Sequence, residues 1–311
     1  MLSVVLPTHN PNPERLERTL EGLRVQTLAT AEWEMLLVDN ASDPELSAQW
    51  VSWHPRGRLV REQRLGLTHA RLRGLAEAAP GVIAWVDDDN VLAPTYLEEV
   101  RDVCAAHPRL GAAGGPAIAE VQGSVPAWFV PDLAPIGCRD HGDQPLWMEW
   151  NPAAPAYPAA APIGAGLAIR TEAMAVWAEQ VKGDPRRLAL GRSGQALSSG
   201  EDNDICLTLL RAGWQLAYLP QLRLTHLIPS KRLELDYQRR LAEASFRDFV
   251  RVLDLHGLRP WPAIPVWSVP LRSLRAWFRY RVWRSPERQV RWRGAVGQFR
   301  GRALLEPTEA R

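Results

Sequence analysis

The stretch VIAWVDDDN (Val82–Asn90) sets an apolar run directly against three consecutive carboxylates, Asp87, Asp88 and Asp89. Val82, Ile83, Trp85 and Val86 have the β-branched and aromatic character of a strand buried on both faces, as in a parallel sheet. Like charges this close repel. A buried strand that ends on three of them requires a bound cation, a set of hydrogen bonds or open water. Working outward, Leu2 to Leu6 reads as another such strand, broken at PTHNPNP (Pro7–Pro13). Asn12 then stands where it caps a helix with Pro13 at its first position, and Leu16, Leu20 and Leu23 give that helix one apolar face. EMLLVDNAS supplies a strand over Met35 to Val38 that stops at Asp39 and Asn40. Strand-like Arg58 to Arg61 and helix-like Leu67 to Ala79 complete the alternation. Strand, helix, strand, helix predicts an α/β fold with a mostly parallel sheet flanked by helices. Ligands of such sheets bind beyond the carboxyl ends of the strands, so Asp39 and Asp87–Asp89 are expected on one rim.

Farther along, prolines, glycines, Trp128, Trp147 and Trp150 between Ala113 and Pro162 follow no period, as in loops and short strands over one edge. PIGAGLAIR predicts a small-residue strand from Ile163 to Ile169, then a helix from about Thr171 to Val181. GRSGQALSSG reads as a glycine-punctuated loop able to move. SSGEDNDICLTLLRAGW predicts a helix capped by Ser199, with Asp202 in a capping-box position, Gly213 closing it and Ile205, Leu209 and Leu210 facing inward.

Each polar group in these stretches has a plain reading and a chemical one. The aspartates either form a solvated turn, with Asp89 or Asn90 capping a helix from about Pro94 to Ala106, or hold Mg²⁺ or Mn²⁺, which prefer carboxylate oxygens and keep positions open for phosphates. Glu201 and Asp202 either favour a helix N-terminus by about 0.3–1 kcal/mol, or present Asp202 as a base to an incoming hydroxyl. His226, in RLTHLIPSKR, is either structural or an imidazole for a metal or phosphate, with Lys231 and Arg232 near enough in sequence to meet a diphosphate.

With 311 residues, 46% hydrophobic and 23% charged, the chain holds one large domain or two modest ones and is neither low-complexity nor disordered. Cys104, Cys138 and Cys206 are too few and too far apart for a disulfide framework or a zinc site, which points to free thiols in a reducing compartment. MLSVVLPTHN has no basic leader and reads as a strand, and no window nears the roughly 18 apolar residues of a membrane span. A cytoplasmic location is expected, peripheral at the inner face of the cell membrane if the tail binds there. The tail is distinctive. From Lys231 to Arg311 there are 18 Lys/Arg against 8 Asp/Glu, whereas the rest of the chain is net acidic. Within VPLRSLRAWFRYRVWRSPERQVRWRG, Leu271, Leu274, Phe278 and Val282 form a helical apolar stripe, Arg272, Arg275 and Arg279 share another face, and Trp267, Trp277, Trp283 and Trp292 are interleaved. Two readings stand: a helix lying on an anionic membrane, or an extension that docks its stripe on the catalytic domain or on another subunit. Nothing else in the chain points to nucleic acid.

Taken in order, LSVVLPTHN, EMLLVDNAS, GLTHARLRGLAEA, WVDDDN and GEDNDICLTLLRAGW resemble the successive motifs of glycosyltransferase family 2, across roughly residues 1–230. The resemblance implies a GT-A-like catalytic domain over residues 1–230, with 231–311 as a basic helical extension. It implies inverting transfer of a sugar from a nucleotide diphospho-sugar to a hydroxyl of a glycan or lipid-linked acceptor, in cell-surface polysaccharide or glycoconjugate synthesis, supported by divalent Mn²⁺ or Mg²⁺. Carried over, Pro7, Thr8 and Asn10 would line the nucleotide pocket, Asp39 would hydrogen-bond the base, and Arg71 would sit by the base or diphosphate. Asp87 and Asp88 would lie on the donor side, with Asp89 ligating the metal and His226 helping. Asp202 would be the base and Glu201 would touch a sugar. One departure is the segment Arg71 to Gly74, Arg-Leu-Arg-Gly where the family has Asn-x-Gly after the Ala-Arg pair. Two alternatives remain. A nucleotidyltransferase would need a glycine- and basic-rich phosphate loop, which PTHNPNPERL lacks. A degenerate partner-binding module is hard to square with five retained carboxylates.

Overall fold

The computed structural model describes residues 1–194 and 196–306. Its larger sheet follows the chain alternation: β1 (Leu2–Thr8), α1 (Pro13–Arg24), β2 (Trp33–Asn40), β3 (Gly57–Glu62), α2 (Leu67–Glu77) and β4 (Val82–Trp85). After β5 (Asn90–Leu92) and α3 (Tyr96–Ala106) come β6 (Leu110–Gly114), β7 (Ala117–Gln122), β8 (Leu146–Met148) and β9 (Ala168–Arg170). The remainder is α4 (Thr171–Lys182), α5 (Pro185–Leu188), α6 (Glu201–Arg211), β10 (Gln215–Tyr218), β11 (Leu224–Pro229), α7 (Leu235–Leu255), α8 (Val269–Tyr280) and α9 (Pro286–Ala303). Eight strands run in the order β3-β2-β1-β4-β9-β6-β10-β8, and a small sheet in the order β5-β11-β7. β3, β2, β1 and β4 are mutually parallel, as are β6 and β10, while β9 and β8 run against their neighbours.

Alternation along the strands splits the core into two layers. Val4, Leu6, Met35 and Leu37 pack with Leu16, Leu20 and Leu23 of α1 on one face. Val5, Leu36, Val38 and Trp85 pack with Trp177 of α4 and Ile205 and Leu209 of α6 on the other. The α1 start is as expected, with the Arg15 backbone N–H donating to Asn12 Oδ1 at 3.0 Å and Pro13 opening the helix.

Four local expectations are corrected. Asn90 opens β5 instead of capping a helix, and α3 starts at Tyr96 with no side-chain cap. The strand expected over Ile163–Ile169 shrinks to Ala168–Arg170, because Gly166 turns the chain at φ +66°, where a Cβ would lie 2.4 Å from Leu224. Ser199 does not cap α6; Gly200 does, without a side-chain bond, and a Cβ there would come within 2.9 Å of Val252 on α7. The tail stripe is not docked on residues 1–230: Leu271, Leu274 and Phe278 point outward and only Val282 is buried.

α7 and α9 pack closely, with Leu241, Ala242 and Val290 in one cluster with Leu133, Ile136, Ile228 and Leu233. No helix among the described residues is long and apolar enough to cross a membrane.

Candidate active site

Parallel pairing of β1 with β2 and β4 sets Thr8 opposite Asp39 and aligns the end of β4 with Val5, so the acidic strand ends share one rim. Beyond that rim lies a cavity of about 450 Å³, a size suited to a small-molecule ligand. Pro7, Thr8, Arg71, Asp87, Asp88, Asp89, Glu201, Asp202 and His226 all line it. Asn10 and Asp39 do not. Asp39 accepts from the Ser42 and Leu46 backbone N–H groups and pairs with Arg61, while Asn10 bonds the same loop through the Ser42 hydroxyl and the Asp43 backbone N–H.

The three aspartates answer the opening question with hydrogen bonds and cations, each in its own way. The Thr8 hydroxyl donates to Asp88. Burial, added to repulsion from Asp89, pushes Asp88 up to about 7 despite that bond. Asp87 is raised for the same two reasons. Burial also works upward on Asp89, but the hydrogen bond from His226 and the charges of His226 and Arg232 outweigh it and hold Asp89 at about 2. Pairing of β5 with β11 sets Asn90 opposite His226, which brings His226 Nε2 within 3.3 Å of Asp89 Oδ1. Its Nδ1 faces the Gly137 carbonyl at 3.0 Å. Burial opposes the imidazolium, yet the Asp89 bond raises His226 to about 10. Arg232 NH2 reaches Asp89 Oδ2 at 3.1 Å, and Lys231 stays exposed and off the cavity.

The same cavity is lined by α6, which presents Asp202 in its first turn. Asp202 Oδ2 accepts from the Gly164 N–H at 3.1 Å and Oδ1 from the Asn203 N–H at 2.9 Å, so its geometry is fixed while the residue stays partly exposed. Glu201 is turned inward. Its carboxylate takes the Thr68 hydroxyl at 2.8 Å and Arg71 NH1 at 3.1 Å, and burial lifts its pKa against the pull of Arg71. Arg71 is therefore committed to Glu201 and stacks on Trp85 at 5.8 Å. Gly191 is needed beside them, since a Cβ there would lie 2.2 Å from Thr68 Oγ1 and 2.3 Å from Glu201 Oε2.

Among the described residues no group of three or more His, Cys, Asp or Glu side chains forms a metal cage. Asp89 and His226 would offer one oxygen and one nitrogen side by side once a cation displaces the Nε2 proton, with the second ring nitrogen already oriented by a carbonyl, as metal-binding imidazoles usually are. Such a pair fits Mn²⁺ or Mg²⁺, which take few protein ligands and leave positions for phosphate oxygens and water. Sequence reasoning missed Arg192, which lines the cavity and whose charge favours the ionised forms of Asp87 and Asp89, though Asp87 stays raised overall, and Asn40, whose Oδ1 accepts from the Gly66 N–H at 2.8 Å. The flag for Arg192 is its place in the glycine-punctuated loop, tied to α2 by the Leu67 N–H bond to its carbonyl at 2.8 Å.

Residues 3–127 match the family described as "Glycosyl transferase family 2". The chain is 31% identical over 122 residues to the amylovoran biosynthesis glycosyltransferase AmsE of Erwinia amylovora, which is 38% of this chain and 46% of that one. The matched parts of the curated relatives span 12% to 49% of their lengths. In structure, the chain is similar to GalNAc-T7 crystallised with UDP, GalNAc and Mn²⁺, with TM-score 0.55, 18% identity, and coverage of 95% of this chain and 54% of that one. It is similar also to the mannosyltransferase PcManGT from Pyrobaculum calidifontis in complex with GDP-Man and Mn²⁺, with TM-score 0.54, 17% identity, and coverage of 95% and 73%. These likenesses establish a GT-A-like α/β fold.

Proposed function

We propose that this chain, whose residues 3–127 match glycosyl transferase family 2, transfers a sugar, with inversion, from a nucleotide diphospho-sugar to a hydroxyl of a glycan or lipid-linked acceptor. Residues 1–230 would form the catalytic domain, acting in polysaccharide or glycoconjugate synthesis. The observation that carries the reading is one cavity lined by Asp87–Asp89, His226 and Arg232 together with Asp202 from the start of α6. In a single displacement the acceptor oxygen bonds to the anomeric carbon as the carbon–oxygen bond to the diphosphate breaks, its electron pair leaving with the diphosphate. Asp202 receives the acceptor's proton late in that step. Its fixed bond to Gly164 keeps one oxygen oriented, and the partly exposed carboxylate remains reachable. Arg232 is the chain's own cation for the departing charge. A divalent ion held at Asp89 and His226 would add Lewis-acid stabilisation of that diphosphate. Glu201 and Arg71, bonded to each other, act as positioning residues for the α6 start and the α2 face rather than as sugar contacts.

The test is a panel of UDP- and GDP-sugars with Mn²⁺, assayed for nucleotide release, beside Asp202→Asn. The expected outcome is release with one donor class and a fall of about 10²–10⁴-fold in kcat for Asp202→Asn with nucleotide binding kept. Release of a sugar 1-phosphate, with the nucleoside monophosphate transferred, would instead mark a nucleotidyltransferase. No turnover and no nucleotide-dependent thermal shift would mark a binding module.

A further inference from the structure

The outward side of α8 and the turns flanking it carry a run of large exposed apolar side chains. Trp267 is 77% exposed, and Leu271, Leu274, Phe278 and Trp283 are each 54–58% exposed. Leu271, Leu274 and Phe278 recur at helical spacing and share one face. Arg272, Arg275 and Arg279 recur at the same spacing one residue later, so they flank that face as an exposed row. The helix is not a loose end. Trp292 Nε1 on α9 donates to the Ser273 carbonyl at 2.9 Å, and Arg288 donates to the Tyr280 carbonyl at 3.3 Å. At its C-terminus Arg281 takes a left-handed conformation, φ +51°, which folds Trp283 back to 4.8 Å from Trp277 and 6.0 Å from Phe278. The result is a preformed apolar ridge with an indole at each end.

Charge decides what covers it. No Asp or Glu occurs from residue 255 to 286, and the next carboxylate, Glu287, is paired with Arg291 at 2.8 Å. Arg272, Arg275, Arg279, Arg281 and Arg284 all stand exposed around the ridge. Two copies of this face would bring ten guanidinium groups together, so self-association through it is opposed. Exposed indoles beside arginines match the boundary between headgroups and acyl chains.

We propose that α8 lies flat on an anionic lipid bilayer, with Leu271, Leu274 and Phe278 below the headgroups, Trp267 and Trp283 at headgroup depth, and the arginine row on lipid phosphates. The contact is peripheral, and it stands apart from the catalytic reading because its readout needs no substrate.

The experiment is co-sedimentation of the full chain with phosphatidylcholine vesicles, with and without phosphatidylglycerol. It is run beside Leu271→Glu/Phe278→Glu and Arg272→Gln/Arg275→Gln/Arg279→Gln, with thermal midpoints and light-scattering masses measured for each. The wild-type chain is expected to sediment with the anionic vesicles and to be released by salt. The arginine variant should lose roughly fivefold in partitioning per residue, about a hundredfold together. The glutamate variant should stay in the supernatant at an unchanged thermal midpoint, since both side chains are exposed. Equal recovery on neutral and anionic vesicles, or wild-type recovery of the glutamate variant, overturns the proposal. So does a wild-type dimer that the glutamate variant dissolves while neither protein binds vesicles.

Discussion

Asp39 ends β2 with its carboxylate buried, held by two backbone N–H groups of residues 42–46 and by Arg61. Burial raises its pKa, but the Ser42 and Leu46 bonds and the Arg61 charge outweigh that and leave it below the ordinary 3.8. A depressed carboxylate contributes stability that is present above the unfolded value and lost as pH falls through the folded one. Asp39→Asn is therefore expected to destabilise the chain by about 1–3 kcal/mol at pH 7. Denaturant unfolding of both proteins from pH 7 to pH 3 should show that gap closing below about pH 4, as the wild-type carboxyl takes up its proton. A gap that stays constant would mean the charge contributes nothing. At this scale residue types are more legible than orientations. Asp87–Asp89 and Asp202 were legible because a carboxylate at a buried strand end or helix start is conspicuous. That Glu201 turns inward to Arg71 follows from a contact across about 130 positions of chain, which local pattern does not encode.

Elements with a strong apolar period, such as β1, β2, β4, α1 and α6, can be read from the chain because period and burial coincide. β6 could not, and β9 is legible only as the end of a longer expected strand. Leu-Gly-Ala-Ala-Gly and Ala-Ile-Arg carry little strand propensity and are strands through tertiary pairing alone. The α7–α9 contact was equally hidden, since it depends on missing atoms: Gly294, Gly297 and Gly301 let α9 approach α7 closely. A Cβ at Gly297 would lie 2.1 Å from the Glu243 carbonyl oxygen, a backbone atom that moves only with its helix. Gly297→Ala is expected to cost about 1–3 kcal/mol in chemical denaturation, against its gain in helix propensity. A neutral or stabilised Gly297→Ala protein would mean the two helices separate without loss.

For the whole molecule, the decisive arrangement is that Asp89 already carries a cation. Arg232 sits on it at 3.1 Å, so a divalent ion alone must compete with a guanidinium, whereas a diphosphate gives that guanidinium a new partner. Mn²⁺ and UDP or GDP are expected to raise the Tm together by more than the sum of their separate shifts. At a hundredfold excess over Kd the gain is about 2.7 kcal/mol, or several degrees, and a chelator should remove the excess. Arg232→Gln should let Mn²⁺ bind without nucleotide. Strictly additive shifts in the wild-type chain would show that the guanidinium does not compete.

Arg232 belongs to the turn Ser230–Leu233, which runs straight into the base of α7. Gln238 of α7 donates to the Arg232 carbonyl at 2.6 Å, so the turn whose side chain reaches Asp89 is tied directly to the long helix. Losing the Asp89 partner or the Gln238 bond would therefore disturb the same four-residue turn, one from its side chain and the other from its backbone.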